Sequence, residues 1–178
     1  MRTSLVLTLI GDDKPGIVEL LAERVLATGA NWEESRMARL AGKFAGLLRV
    51  SVDDQQADAL AAALRALDAG GLRVIVERST AGNPLPPHSM GLQLLGNDRP
   101  GIVRDISRVL ARHGVNIEEL ETEVRSAPMS GDALFHARAS LRVPPAISPD
   151  RLREVLEALA GELMVDVTLV EDDRRNQS

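Results

Sequence analysis

Residues 11–18 read GDDKPGIV, and residues 96–103 read GNDRPGIV. The same Pro-Gly-Ile-Val word recurs 85 positions apart in a chain of 178 residues that has nine prolines. Shifted by that interval, the agreement runs on. Leu21 falls on Ile106, Val25 on Leu110, Gly29 on Gly114, Asn31 on Asn116, and Glu33-Glu34 on Glu118-Glu119. The chain is a duplication, and each copy has the size of a small domain rather than of a solenoid repeat. It divides into a first unit over 1–79, a linker over 80–89, a second unit over 90–172 and a tail over 173–178 expected to be disordered. The linker, TAGNPLPPHS, carries three prolines and predicts a stiff extended connection.

The word GDDKPGIV stands where one periodicity gives way to another. Before it, Leu5, Leu7 and Leu9 alternate with Val6, Thr8 and Ile10, which predicts a strand apolar on both faces and hence central. After it, Ile17, Val18, Leu21, Ala22 and Val25 recur at helical spacing, and Gly29 supplies a left-handed stop. Asn31–Leu40 and Phe44–Val52 read as a hairpin about Ala41-Gly42-Lys43. Asp53 and Asp54 are expected to cap a helix over 55–68 that ends at Gly70-Gly71, and Leu72–Glu77 reads as a last strand.

The second copy repeats this order. It has a strand from Met90, a helix from Pro100 to Gly114, a hairpin turning within 126–132, a returning strand over 134–143, a helix over 149–159 capped by Ser148, and a strand over 164–170. The predicted fold class is α+β, with two ferredoxin-like βαββαβ units. Each has a four-stranded antiparallel sheet with both helices on one face. Thr8 and Gln93 on the other face point to exposure, whereas Val6, Ile10 and Leu95 point to contact, either between the halves or in a homodimer.

Composition narrows the function. Net charge is −5, with no basic run and no nucleic-acid motif, so direct nucleic-acid binding is not expected. Cysteine is absent, which removes thiolate chemistry and disulfides and fits a reducing compartment. The apolar run at residues 5–10 is too short for a secretory signal, and no segment is long enough to span a bilayer. The reading is therefore of a cytoplasmic protein without membrane contact. His88, His113 and His136 stand apart, and no nucleophile elbow, P-loop or dinucleotide motif appears. Glu118, Glu119, Glu121 and Glu123 read as a solvated strand edge. No enzyme activity, metal or cofactor is expected.

The repeated word also has a chemistry. With Asp13 as N-cap, Pro15 falls in the first helical turn, where its missing N–H costs nothing, and the Asp13 carboxylate accepts from the Gly16 amide. Gly16 is then unexplained by capping, because glycine within a helix costs roughly 0.5–1 kcal/mol relative to alanine. Close approach of another backbone or of a ligand would account for it. The same holds for Asp98, Pro100 and Gly101. Asn31 and Asn116 each lie 15 residues after their glycine. An asparagine both donates and accepts, which suits a zwitterionic ligand, and it also commonly terminates a helix.

Asp13-x-Pro15-Gly16-Ile17 with Asn31, and Asp98-x-Pro100-Gly101-Ile102 with Asn116, resemble the ACT-domain pattern. Two such units filling residues 4 to 172 resemble the glycine cleavage system transcriptional repressor family. The resemblance implies a non-enzymatic regulator that binds a small amino acid, with glycine as one candidate. It also implies a protein partner, a transcription factor, contacted in place of DNA. In that pattern the ligand lies between the Pro-Gly loop of one unit and the Asn-bearing strand of another. The implied ligand-binding residues are thus Asp13, Pro15, Gly16, Ile17 and Asn31, and Asp98, Pro100, Gly101, Ile102 and Asn116. The chain departs from some amino-acid-binding members in having Asp where they have Asn two residues before the proline. A ligand-free scaffold, or a sensor of another amino acid that regulates a metabolic enzyme, remain the alternatives.

Overall fold

A computed structural model describes residues 1–79, 88–127 and 131–171. The chain divides into two compact units, Met1–Asn83 and Pro84–Ser178. The first contains β1 (Arg2–Asp12), α1 (Ile17–Ala27), β2 (Asn31–Leu40), β3 (Lys43–Asp53), α2 (Ala57–Arg65) and β4 (Leu72–Arg78). The second contains β5 (His88–Asn97), α3 (Ile102–Arg112), β6 (Asn116–Ser126), β7 (Ala133–Val143), α4 (Pro149–Leu163) and β8 (Val165–Glu171). The sheet orders are β2-β3-β1-β4 and β6-β7-β5-β8, with every pairing antiparallel. Each unit is thus a four-stranded antiparallel sheet with helices, as the duplication predicts. β5 begins at His88, inside the segment read as linker; 80–87, the centre of the second hairpin turn and the tail lie outside the described residues.

The cores follow from the alternation. Leu5, Leu7 and Leu9 of β1 and Leu48, Val50 and Val52 of β3 bury one sheet face against Ile17, Leu21 and Val25 of α1 and Leu60 and Leu64 of α2. In the second unit Met90, Leu92 and Leu94 meet Leu141 and Val143, with Ile106 and Leu110 of α3 and Leu152 and Leu156 of α4 above them. Each fully buried leucine contributes about 1.5–3 kcal/mol of transfer free energy. Val18 and Ala22 do not join the buried face of α1: both are exposed, because only Ile17, Leu21 and Val25 point squarely at the sheet.

Three local expectations are corrected. No side chain caps α2 or the 3-10 turn before it. Asp54 is drawn instead to Arg78 of β4, 3.1 Å away, and the helix is broken into a 3-10 turn at 54–56, α2 and a second such turn at 66–70. Met164, expected to open the last strand, is the left-handed residue that ends α4 (φ 53°). That helix runs to Leu163, past the expected end, while Ser148 caps it as expected, accepting from Arg151 N at 3.2 Å. The first hairpin turn places Ala41 (φ 48°) and Gly42 (φ 79°) both at positive φ, as a two-residue type I′ connection requires.

The outer sheet faces differ. In the first unit the cross-strand row Ile75–Thr8–Leu47 is flanked by the rows Arg73–Ile10–Ala45 and Glu77–Val6–Arg49. In the second unit the matching rows are Thr168–Gln93–Arg138, Asp166–Leu95–His136 and Val170–Gly91–Ser140. The aliphatic centre of one face is a polar centre on the other. Among the described residues no helix is long and apolar enough to cross a membrane.

Candidate functional site

The two Pro-Gly loops join the end of the first strand of each unit to its first helix. α1 begins at Ile17, one residue after Gly16, which is the N-cap with φ 90° and ψ −2°. α3 begins at Ile102 after Gly101, with φ 95° and ψ −2°. Neither helix has a side-chain cap. The glycine carbonyls close the first turns, accepting from Leu20 N and Asp105 N at 2.9 Å each. This overturns the assignment of Asp13 and Asp98 as N-caps and gives the glycines their reason. A left-handed backbone costs an L-residue roughly 1–2 kcal/mol, and nothing lies within 4 Å of where a Gly16 Cβ would stand. Conformation, not crowding, demands glycine at 16. At 101 the Arg104 guanidinium lies 3.2 Å from the Cβ position as well.

The aspartates serve elsewhere. Asp13 donates its amide to Gly42 O (2.9 Å), tying the loop to the hairpin turn. Its carboxylate lies 2.6 Å from Arg39 Nε of β2. Asp98 donates its amide in the same way to Ala133 O (2.8 Å). Its carboxylate has no ion-pair partner among the described residues. The register explains the difference: Arg39 stands opposite Phe44, and the residue opposite the equivalent Phe135 is Val124. Lys14 donates to Gly70 O (3.1 Å), whereas Arg99 approaches Asp105 (3.7 Å), which also pairs with Arg104 (2.9 Å). Asp12 pairs with Lys43, and that hydrogen bond holds its carboxyl below the usual range.

Asn31 and Asn116 open β2 and β6 at the far ends of the sheets. Asn31 faces Ser51, which faces Ser4, eight residues before Asp12 on β1. At about 3.3 Å per residue the separation along the strands is roughly 26 Å. Asn116 faces Arg142, which faces Ser89, eight residues before Asn97. Within each unit, then, the Pro-Gly-Ile residues are brought together and the asparagine is not. Both elements can line one pocket only if two units supply them.

Around Asn116 the structure adds residues that the sequence did not single out. Gly114, Asn116, Arg142, Pro144 and Pro145 line an open hollow of about 200 Å³. Arg142 Nε is shielded from solvent, 2.8 Å from Glu118 Oε1 but at an angle outside hydrogen-bonding range. Glu118 is the extra residue of a β-bulge between Ile117 and Glu119, and Glu33 occupies the same bulge in β2. Arg39 and Arg142 were invisible in the sequence because only the register sets them beside Asp13 and Asn116. The expected acidic edge of β6 is partly paired: Glu123 takes Arg125 (2.7 Å) and His136 (3.3 Å), and these hold its carboxyl below the usual range, His136 first. A second open hollow, of about 330 Å³, lies on the outer sheet face among Gln93, Glu119, Glu121, Arg138 and Ser140.

Comparison with known proteins follows the same division. Residues 3–75 match an ACT-domain profile, and residues 92–161 match a second one. The glycine cleavage system transcriptional repressor of Escherichia coli is 27% identical over 161 residues, 89% of this chain and 85% of that one. The crystal structure of an unknown protein from Galdieria sulphuraria is 31% identical, with a TM-score of 0.85 over 97% of this chain and 99% of that one. The structure of a putative glycine cleavage system transcriptional repressor shares the fold, at 22% identity and a TM-score of 0.73 over 97% and 98% of the two chains.

Proposed function

This chain belongs to the ACT-domain family, and from that premise we propose that its units bind a small amino acid, with glycine as the first candidate. The liganded protein would then alter a transcriptional regulator by protein–protein contact. The coarser statement, a regulatory protein of tandem ACT domains, rests on the similarity along both units. The finer one rests on chemistry. The observation that carries it is that both copies start their first helix on a left-handed glycine with no side-chain hydrogen bond capping the helix end.

The first amides of such a helix have no intrahelical acceptor, and the helix dipole adds positive potential there. A carboxylate is the natural occupant. Pro15 and Pro100 stiffen the entry, and buried Ile17 and Ile102 anchor it to the core. Asn31 or Asn116 of a second unit would supply the remaining polar contacts, since neither reaches its own loop. Two or three charge-assisted hydrogen bonds of about 1.5–3 kcal/mol each, less the cost of immobilising the ligand, correspond to roughly millimolar to micromolar affinity.

The loops are not equal. Asp13 is engaged by Arg39, while Asp98 is open to an ammonium group. This favours the Asp98 loop as the stronger site, with one ligand per chain bound first. The partner's part is argued from charge: a chain at −5 is a poor ligand for DNA phosphates, so contact with DNA would be made by the partner.

The test is a thermal-shift panel of the twenty amino acids, followed by calorimetric titration of any that act. A specific ligand raises the melting temperature by mass action. If the folded chain shows no shift with any amino acid at millimolar concentration, the ligand reading is rejected. A mobility shift of promoter DNA by the chain alone would reject the partner reading.

A further inference from the structure

The outer sheet face of the first unit carries three large aliphatic side chains in the open, Ile10, Leu47 and Ile75, exposed to 47%, 51% and 53%. They are contiguous, because Ile75, Thr8 and Leu47 form one cross-strand row and Ile10 follows Thr8 on the same face of β1. Clustered aliphatics of this kind mark interaction surfaces rather than ordinary solvent-facing residues. The equivalent face of the second unit places Thr168, Gln93 and Arg138 in that row. The rows beside it still carry Leu95 and Val170, exposed to 45% and 46%, so what belongs to the first unit alone is the aliphatic central row.

We propose that this face is a two-fold interface with a second copy of the chain. The charges around it match themselves. On the outer face of β4, Ile75 lies midway between Arg73 and Glu77. A two-fold axis between two such faces, crossing the strands at the Ile75–Thr8–Leu47 row, sets Ile75 against Ile75 and Leu47 against Leu47 of the copy. It also sets Arg73 against Glu77 twice over, as an isologous contact requires. Glu77 has no ion-pair partner among the described residues, and Arg73 is held only at 3.9 Å by Asp68. At the far end of the axis row Arg36 would approach its own copy, and Glu34, 3.4 Å from it, offsets that charge. An axis running along the strands would instead set Glu77 against Glu34, so the charges select the first arrangement. Four strands at about 4.8 Å spacing give a footprint of roughly 600 Å² per partner, at the low end for a stable interface. The dimer is therefore weak and concentration-dependent.

Sedimentation velocity across a micromolar to submillimolar series tests this on the full chain. The expected result is a monomer–dimer equilibrium that Leu47→Glu weakens by roughly tenfold or more, with circular dichroism unchanged because the position is exposed. Ile75→Lys serves as the second disruptive variant should Leu47→Glu fail to fold. Arg73→Glu and Glu77→Lys should each weaken the dimer, and the two together should restore it, since the reciprocal pairs are then reversed as a set. A monomer at every concentration, a dimer indifferent to both disruptive variants, or a double reversal no tighter than either single one overturns the proposal.

Discussion

Asp12, which opens the first Pro-Gly loop, and Asn31 belong to the same unit and stand at opposite ends of its sheet, roughly 26 Å apart along the strands. A ligand gripped by both a Pro-Gly loop and an asparagine must therefore join two units. Asn31→Ala and Asn116→Ala, at exposed positions, should leave the stability of the unliganded protein within about 0.5 kcal/mol. At least one of them should weaken amino-acid binding about tenfold in calorimetry, the loss of one hydrogen bond to a charged group.

Glycines needed for different reasons should fail differently. Gly16→Ala meets open space and should cost only the left-handed conformation, about 1–2 kcal/mol. Gly46→Ala would put its Cβ 2.5 Å from Arg36 O and 2.9 Å from Met37 Cα, both backbone atoms of β2. It should push the edge strand outward and cost about 3 kcal/mol. Urea denaturation of the two variants orders them.

Leu7 and Leu141 are fully buried in their respective cores. Leu7→Ala and Leu141→Ala should each cost about 2–5 kcal/mol, transfer plus residual cavity. Differential scanning calorimetry measures the loss in each case.

Arg39→Met frees Asp13. Both side chains are substantially exposed (70% and 34%), so the stability change should stay within about 1 kcal/mol. The first loop then resembles the second, and the number of amino-acid ligands bound per chain should rise toward two in calorimetric titration.

The Glu123–His136 contact has a pH signature. The bond from His136 holds the Glu123 carboxyl below its ordinary value of 4.5. A carboxyl with a lowered folded-state pKa contributes stability that is full above its unfolded value and is lost as pH falls through the folded one. Melting curves of Glu123→Gln and the parent protein should therefore differ at neutral pH and converge below pH 4.5. A gap that persists unchanged in acid would show that the contact is not electrostatic.

Element order was legible because periodicity reports burial. β2 falls on Asn31–Leu40 as read, and Gly29, Gly71 and Gly114 all take the left-handed conformation at helix ends. The helix entrance was misread for a physical reason. An aspartate four residues before the helix looks like a cap only if the helix starts at the next residue, and a left-handed glycine delays that start to Ile17 and Ile102. Spacing also could not say that Asn31 is far from Gly16, since the helix returns the chain to the opposite end of the sheet. The partners of Asp13 and Asn116 depended on cross-strand register, which no single segment encodes. The contrast between the two outer faces was not visible in Thr8 and Gln93, which both point to exposure. It emerges from the register, which sets Leu47 beside Thr8 and Arg138 beside Gln93.

That contrast bears on how assembly stops. A chain with adhesive faces on both halves could link end to end without limit, because every addition would expose a fresh sticky end. Here the central row of one face offers Ile75 and Leu47, and that of the other offers Thr168, Gln93 and Arg138 with Leu95 and Val170 in the rows beside it. If the central aliphatic row pairs with its own copy as proposed, it is consumed when two molecules meet, and growth through that row terminates at the pair.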